Sequence, residues 1–191
     1  MEFIVIRHGQ AKHNIGGENK HVFAGRKVDN SLTAEGIETV KKLTQKLFDE
    51  GGADLIISSS LKRSKETADI IAKKIKAPII SLPELDEFDV GEFAGHTEKE
   101  VRKLFPAEAE SFYSGDIPNW NFPGGESFVQ MKLRLEKAIA KIRKTVKPDS
   151  RVLICGHGGL NRALFYLYNN EHENLWRNRN YPHDRIVTVK I

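Results

Sequence analysis

Short apolar runs alternate with amphipathic helical stretches along this chain, and no other feature constrains its fold as strongly. Phe3–Ile6, Leu55–Ile57 and Val152–Cys155 are built almost wholly from aliphatic residues, with no polar interruption. A half-exposed strand would alternate polar and apolar residues, so these runs fit strands covered on both faces of a parallel sheet. Ile79-Ile80 reads as a further short strand, and Ile186–Ile191 as a last, alternating one. Between them lie helices. Thr33 is placed to cap a helix through Ile37, Val40, Leu43 and Leu47, stopped by Gly51-Gly52. Leu61–Ile75 carries Ala68, Ile71, Ala72 and Ile75 on one face, and Pro78 follows. Thr97-Glu98-Lys99-Glu100 forms a capping box before a short helix bounded by Pro106. Ser127 with Gln130 forms another, opening a long helix through Phe128, Met131, Leu135, Ala138, Ile142 and Val146. Leu160–Tyr168 is the last helix. This order predicts an α/β fold, a mainly parallel doubly wound sheet with helices on both faces. One domain is expected over residues 1–191. Residues 96–126 are expected to form a small helical insertion over the active site.

Composition narrows the function classes. Apolar residues make up 39% and charged residues 29% of 191, as in soluble globular domains. No apolar run approaches the roughly 18 residues that a membrane span needs. The first strand starts at Phe3 with no basic segment before it, so a signal peptide is not expected. A single cysteine, Cys155, excludes an internal disulfide and fits a reducing, cytoplasmic setting. The net charge of +4 suits an anionic ligand. The lysines fall in short groups (Lys41-Lys42, Lys73-Lys74-Lys76) on helices whose opposite faces are apolar, which reads as solvated surface rather than a nucleic-acid patch. The oligomeric state is left open, with a homodimer among the options.

Two histidines share a local setting. Arg7-His8-Gly9 follows the first apolar run, and His157-Gly158-Gly159 follows Val152–Cys155. In parallel sheets, ligands bind beyond the carboxyl ends of the strands. The stretch after Leu55–Ile57 brings Arg63 to that edge, and the stretch after Ile79-Ile80 brings Glu87. Two arginines, two histidines and a carboxylate suit a phosphate monoester, which carries roughly −1.5 to −2 charge near neutral pH. Arginine's planar fork matches phosphoryl oxygens in pairs. Gly9, Gly156, Gly158 and Gly159 let backbone N–H groups approach an anion, and a helix starting near Leu160 points its positive end there. A neutral imidazole can attack phosphorus and hold the phosphoryl group covalently. A carboxylic acid can protonate the departing oxygen, a contribution of about 10²–10⁴ in rate.

Several of these stretches together resemble one family. Arg7-His8-Gly9 after an N-terminal strand is similar to the signature of the histidine phosphatase superfamily, which includes the cofactor-dependent phosphoglycerate mutases. FAGRKVDNSLTAEG, SSSLKRSKETA, LDEFDVGEFAG, FPGGES and CGHGGLNRAL each resemble a family element, in family order, over about residues 3 to 165. The resemblance implies that His8 is the phosphorylated nucleophile. It implies that Arg7, Arg63 and His157 hold the phosphoryl oxygens, with Asn14 and Gly158 also binding substrate. Glu87 would be the general acid and then the base that activates water. No metal and no cofactor is implied. The chain departs from common family residues at Gln10-Ala11, Asn30, Asp86 and Ala94, none of them in a catalytic position.

The resemblance implies a phosphatase acting on a small phosphorylated metabolite. A phosphoglycerate mutase is the alternative, disfavoured by the short insertion and by Phe88-Asp89-Val90-Gly91 where mutases carry Arg-x-Tyr-Gly. An α-ribazole phosphatase, a protein phosphohistidine phosphatase and a non-catalytic phospho-ligand module stand as further readings. Glu84, Asp86, Asp89 and Glu92 compete with Glu87 for the acid role. His13, His21, His96, His172 and His183 read as surface residues without a metal-ligand pattern. Cys155 reads as core. Trp120, Tyr113 and Phe122 read as the core of the insertion or as a pocket wall, Lys99 and Arg102 as a solvated face. Trp176 and Arg177–Arg179 have no role assigned.

Overall fold

Each apolar run forms a strand whose side chains divide between two cores. The computed structural model describes residues 1–15, 22–114, 120–168 and 182–190; His21, His172, Trp176 and Arg177–Arg179 lie outside them. The strands are β1 (Glu2–Arg7), β2 (Leu55–Ser58), β3 (Ile79–Ser81), β4 (Arg151–Gly156) and β5 (Ile186–Lys190), in one sheet of order β3-β2-β4-β1-β5. The first four run parallel, and β5 runs antiparallel on the edge beside β1. The fold is therefore mixed but mostly parallel.

The helices are α1 (Ala34–Asp49), α2 (Lys62–Ile75), α3 (Glu98–Leu104), α4 (Pro106–Ser114), α5 (Phe128–Thr145) and α6 (Gly158–Tyr168). Ile4, Ile6, Ile56, Leu153 and Cys155 point to one face, where they meet Val40, Leu43 and Leu47 of α1 and Ala68 and Ile71 of α2. Phe3, Val5, Leu55, Ile57, Val152 and Ile154 point to the other, against Leu135, Ala138 and Ile142 of α5 and Leu160 and Leu164 of α6. The strict alternation follows from the two-residue period of a strand. It explains why these runs contain no polar position: both faces are dry. Burial also pushes the Cys155 thiol up, away from the thiolate, in keeping with a core role.

The expected caps form. The Thr33 hydroxyl accepts the Gly36 N–H at 2.9 Å. Ser127 and Gln130 exchange side-chain and backbone hydrogen bonds at 3.2 and 2.8 Å, as do Thr97 and Glu100. Pro106 does more than bound α3: it is the first residue of α4, where its fixed φ and missing N–H cost nothing. The helical reading stopped at Pro106 and missed α4.

Phe112 of α4, Trp120 and Phe122 are buried and join the α5/α6 core. Their rings meet those of Phe23, Phe88 and Phe93, mostly edge to face, with centroids as close as 4.6 Å for Trp120 and Phe122. Such pairs add about 0.5–1.5 kcal/mol each beyond burial. Among the described residues, no helix is long and apolar enough to cross a membrane.

Candidate active site

The carboxyl ends of β1, β2 and β4 deliver the charged residues to one place. β1 ends at Arg7 and places His8 directly beyond it, where the His8 N–H donates to the Gly156 carbonyl at 3.0 Å. β4 ends at Gly156 and places His157 beside it. The two rings lie 5.1 Å apart between centroids, and both are buried. Arg63, in the first turn of α2, reaches the same point and is 1% exposed.

The hydrogen bonds of His8 fix its tautomer. Arg63 Nε–H can only donate, and it meets Nε2 of His8 at 3.2 Å. Nε2 therefore carries a lone pair. The proton sits on Nδ1, which donates to the Gly9 carbonyl at 2.7 Å. Burial, and then the neighbouring His157, Arg7 and Arg63, hold the His8 pKa well below that of ordinary histidine. His157 is lowered in the same sense, first by burial and then by Arg63 and Arg7. Both rings are neutral, and His8 presents the unprotonated nitrogen that a nucleophile requires.

Arg63 also organises the loop opposite. Its two terminal nitrogens donate to the carbonyls of Val28 (2.7 Å) and Gly25 (3.0 Å), and Asp29 lies 3.8 Å away. Asn14 ends the short turn Lys12–Asn14, and its amide oxygen accepts the Ala11 N–H at 3.0 Å. That leaves the donor end of the amide for a ligand.

Glu87 sits at the start of α6. Its Oε2 accepts from Gly159 N–H (3.0 Å), and Oε1 accepts from Leu160 N–H (3.0 Å) and Phe88 N–H (3.1 Å). A carboxylate there complements the positive end of the helix. Gly159 has to be glycine: a Cβ would stand 2.5 Å from the Phe88 ring and 2.7 Å from Glu87 Oε1. The competing acids point elsewhere. Asp86 receives the Ser60 N–H at 2.7 Å, Asp89 receives the Gly91 N–H at 3.0 Å, Glu84 pairs with Lys141, and Glu92 is exposed.

Arg7, His8, Asn14, Arg63, Glu87 and Gly158 line one cavity of about 170 Å³. His157 lies a layer deeper, fully buried, with Nε2 on the Ser59 hydroxyl at 2.7 Å. Phe23, Phe112, Phe122, Phe88 and Val90 make the apolar wall. Phe122 is thus both core and wall, whereas Trp120 stands behind it in the core and the ring of Tyr113 stacks beneath Arg102 at 3.8 Å. Arg102 also pairs with Glu98 across one helical turn, on an exposed face. Among the described residues, no group of three histidine, cysteine, aspartate or glutamate side chains is set to hold a metal ion.

Four groups escaped the sequence reading. His13 and His183 were expected at the surface. His13 lines the cavity with its ring 5.8 Å from that of His8, because the Lys12–Asn14 turn folds it back. Nδ1 of His183 lies 2.5 Å from the His8 carbonyl, brought there by β5 pairing beside β1. Arg162, one turn into α6, also lines the cavity. Glu126, the acid of FPGGES, is buried and bound by Arg134 of α5 at 2.6 and 2.9 Å and by Arg26 at 3.1 Å. Arg134 in turn donates to the Glu84 carbonyl at 2.7 Å, so this triad anchors the loop that carries Glu87. The Gly124-Gly125 turn fits because Gly91, at φ +52°, lays its backbone directly on the Pro123 carbonyl.

The family described as histidine phosphatase superfamily (branch 1) matches residues 3–191. A metal-independent phosphoserine phosphatase of Arabidopsis thaliana is 32% identical over 169 residues, which are 86% of this chain and 67% of that protein. An adenosylcobalamin/α-ribazole phosphatase of Escherichia coli is 28% identical over 182 residues, 94% of this chain and 85% of that one. Among solved structures, Bacillus stearothermophilus YhfR has the same fold, with a TM-score of 0.81 at 24% identity over 100% of this chain and 91% of that one. The chain belongs to the histidine phosphatase superfamily, branch 1.

Proposed function

We propose that this protein hydrolyses small phosphate monoesters, without a metal, through a phosphohistidine on Nε2 of His8. The observation that carries this is the hydrogen bonding of buried His8, with Nδ1 2.7 Å from the Gly9 carbonyl and Nε2 3.2 Å from the Arg63 Nε–H, an arrangement that supports a proton on Nδ1 and a lone pair on Nε2. The phosphoryl group binds among Arg7, Arg63, His157, Asn14 and the Gly158 backbone. As it binds, the Arg63 Nε–H passes from Nε2 to a phosphoryl oxygen, which releases the lone pair for attack.

Nε2 bonds to phosphorus as the P–O bond to the leaving group breaks. Glu87 takes up the proton of a phosphate monoanion as the ester binds and passes it to the departing oxygen. Its Oε2 accepts one backbone N–H and keeps a second site for the substrate. As a carboxylate it then takes a proton from water, which attacks phosphorus and breaks the P–Nε2 bond. Inorganic phosphate leaves and His8 is restored. Positive groups already in place stabilise the charge that spreads over the phosphoryl oxygens.

The test is phosphate release from a panel with EDTA present, comparing native protein with His8→Ala. The panel holds phosphoserine, α-ribazole phosphate, sugar phosphates, and 3-phosphoglycerate with and without 2,3-bisphosphoglycerate. Release that survives EDTA and is lost in His8→Ala is expected. Turnover of 3-phosphoglycerate to its isomer, only with the bisphosphate, would replace this reading with a mutase.

A further inference from the structure

Ser59 and His157 stand side by side for a topological reason. β2 and β4 are parallel neighbours in register, with Ser58 opposite Cys155. The first residue beyond β2 is Ser59, and the second beyond Cys155 is His157. Both lie at the carboxyl edge of the sheet, and both side chains are fully buried. The Ser59 Oγ to His157 Nε2 distance is 2.7 Å. The Leu61 N–H donates to the same oxygen at 3.3 Å and helps to hold the hydroxyl in place. On the other side of the ring, Nδ1 is buried and has no hydrogen-bond partner among the described residues.

A neutral imidazole has one N–H and one lone pair. Two arrangements satisfy the contact with Ser59. In the first, Nε2–H donates to Oγ, and Nδ1 turns a lone pair toward an incoming anion, which repels it. In the second, the Ser59 O–H donates to Nε2, and Nδ1–H is free to donate to the anion. Burial and the two arginines disfavour a second proton on the ring before an anion binds, so the contact with Ser59 sets which nitrogen carries the single N–H.

We propose that Ser59 is a positioning residue: its hydroxyl donates to Nε2 of His157 and so keeps the ring proton on Nδ1, the nitrogen that binds a phosphoryl oxygen. This rests on the phosphoryl site proposed above. The hydroxyl touches no substrate and acts only through His157. The balance is one proton on each partner: Ser59 keeps its hydrogen, His157 keeps its single N–H, and neither is transferred during turnover. On this reading the partner of the buried Nδ1 is a phosphoryl oxygen of the bound substrate.

The test reads the tautomer directly. Ring ¹⁵N shifts of His157 are recorded in the native protein, free and with inorganic phosphate. The expected result is a neutral ring protonated at Nδ1, with the Nδ1 signal moving as phosphate binds. Ser59→Ala should lower kcat/KM by about 10- to 100-fold, the scale of loss when the hydrogen-bond partner that orients a metal-bound histidine is removed. It should also shift the His157 tautomer toward Nε2–H, which a merely structural role would not do. Ser59→Thr, which keeps the hydroxyl, should restore the native tautomer. Phosphate binding with the ring protonated at Nε2, or at both nitrogens, overturns the role of Ser59 while leaving the anion site standing. Absence of any phosphate effect on His8 or His157 overturns the anion site, and this inference with it. The native spectrum decides the matter even if Ser59→Ala does not fold.

Discussion

Arg134→Leu should cost more stability than any exposed ion pair of this protein. The Glu126 carboxylate is 8% exposed and Arg134 is 14% exposed. The substitution removes two charge-assisted hydrogen bonds, at 2.6 and 2.9 Å, and the donor to the Glu84 carbonyl at 2.7 Å. Breaking one side of a buried pair costs about 3–5 kcal/mol, because the other charge is left stranded. Arg26 still reaches Oε2 at 3.1 Å, which points to the low end, about 3 kcal/mol. For a chain of this length that is a fall in Tm of about 6–12 °C. Urea unfolding at pH 7 measures it. Adding Glu126→Gln removes the stranded charge and should recover about 1 kcal/mol. A loss below about 1 kcal/mol would mean that the pair behaves like a surface one, and would refute the anchoring of the Glu87 loop.

Stability should also fall in acid. His8 and His157 have folded pKa values depressed below the ordinary 6.5. The unfolded chain therefore binds more protons below pH 6.5, so their contribution is complete above that value. It is lost as pH drops toward the folded values, by about 1.4 kcal/mol per pH unit for each histidine. Urea midpoints between pH 7 and 5 should show that slope, reduced in His8→Asn; an unchanged slope would contradict a neutral His8. Gly159→Ala places a methyl against Phe88 and Glu87, and should cut kcat at least about 10-fold by displacing the acid, while phosphate affinity changes little. Equal losses in kcat and phosphate affinity would show that the whole site had moved. Lys141→Ala breaks an exposed pair with Glu84 and should cost at most about 1 kcal/mol in the same unfolding assay.

The sheet was legible because strands buried on both faces leave unbroken aliphatic runs, and caps leave short polar signatures. His8, His157, Arg63 and Glu87 were legible for a different reason: each follows a strand, so topology alone sends them to one edge. β3 was harder, since it sits at the sheet edge, with Ile79 37% exposed. α4 was missed because Pro106 reads equally as a stop and as a first turn. His13 and His183 were missed because no local pattern marks them. One depends on a single turn of three residues, the other on which strand pairs with β1. The Glu126–Arg134 pair joins residues eight apart across a helix start, a spacing with no periodic signal. Ser59 lay in plain view in SSSLKRSKETA, but its contact with His157 needs the register of β2 against β4.

The central claim is that the phosphoryl group passes through Nε2 of His8. It is tested most directly by quenching the enzyme in alkali during turnover, since phosphohistidine survives base, and mapping the phosphorylated peptide by mass spectrometry. The account predicts one phosphoryl group, on the Met1–Lys12 peptide of a lysine-specific digest, carried by His8 at Nε2 and absent from His157. A label on His157, His13 or His183, or none during steady release of phosphate, would contradict it.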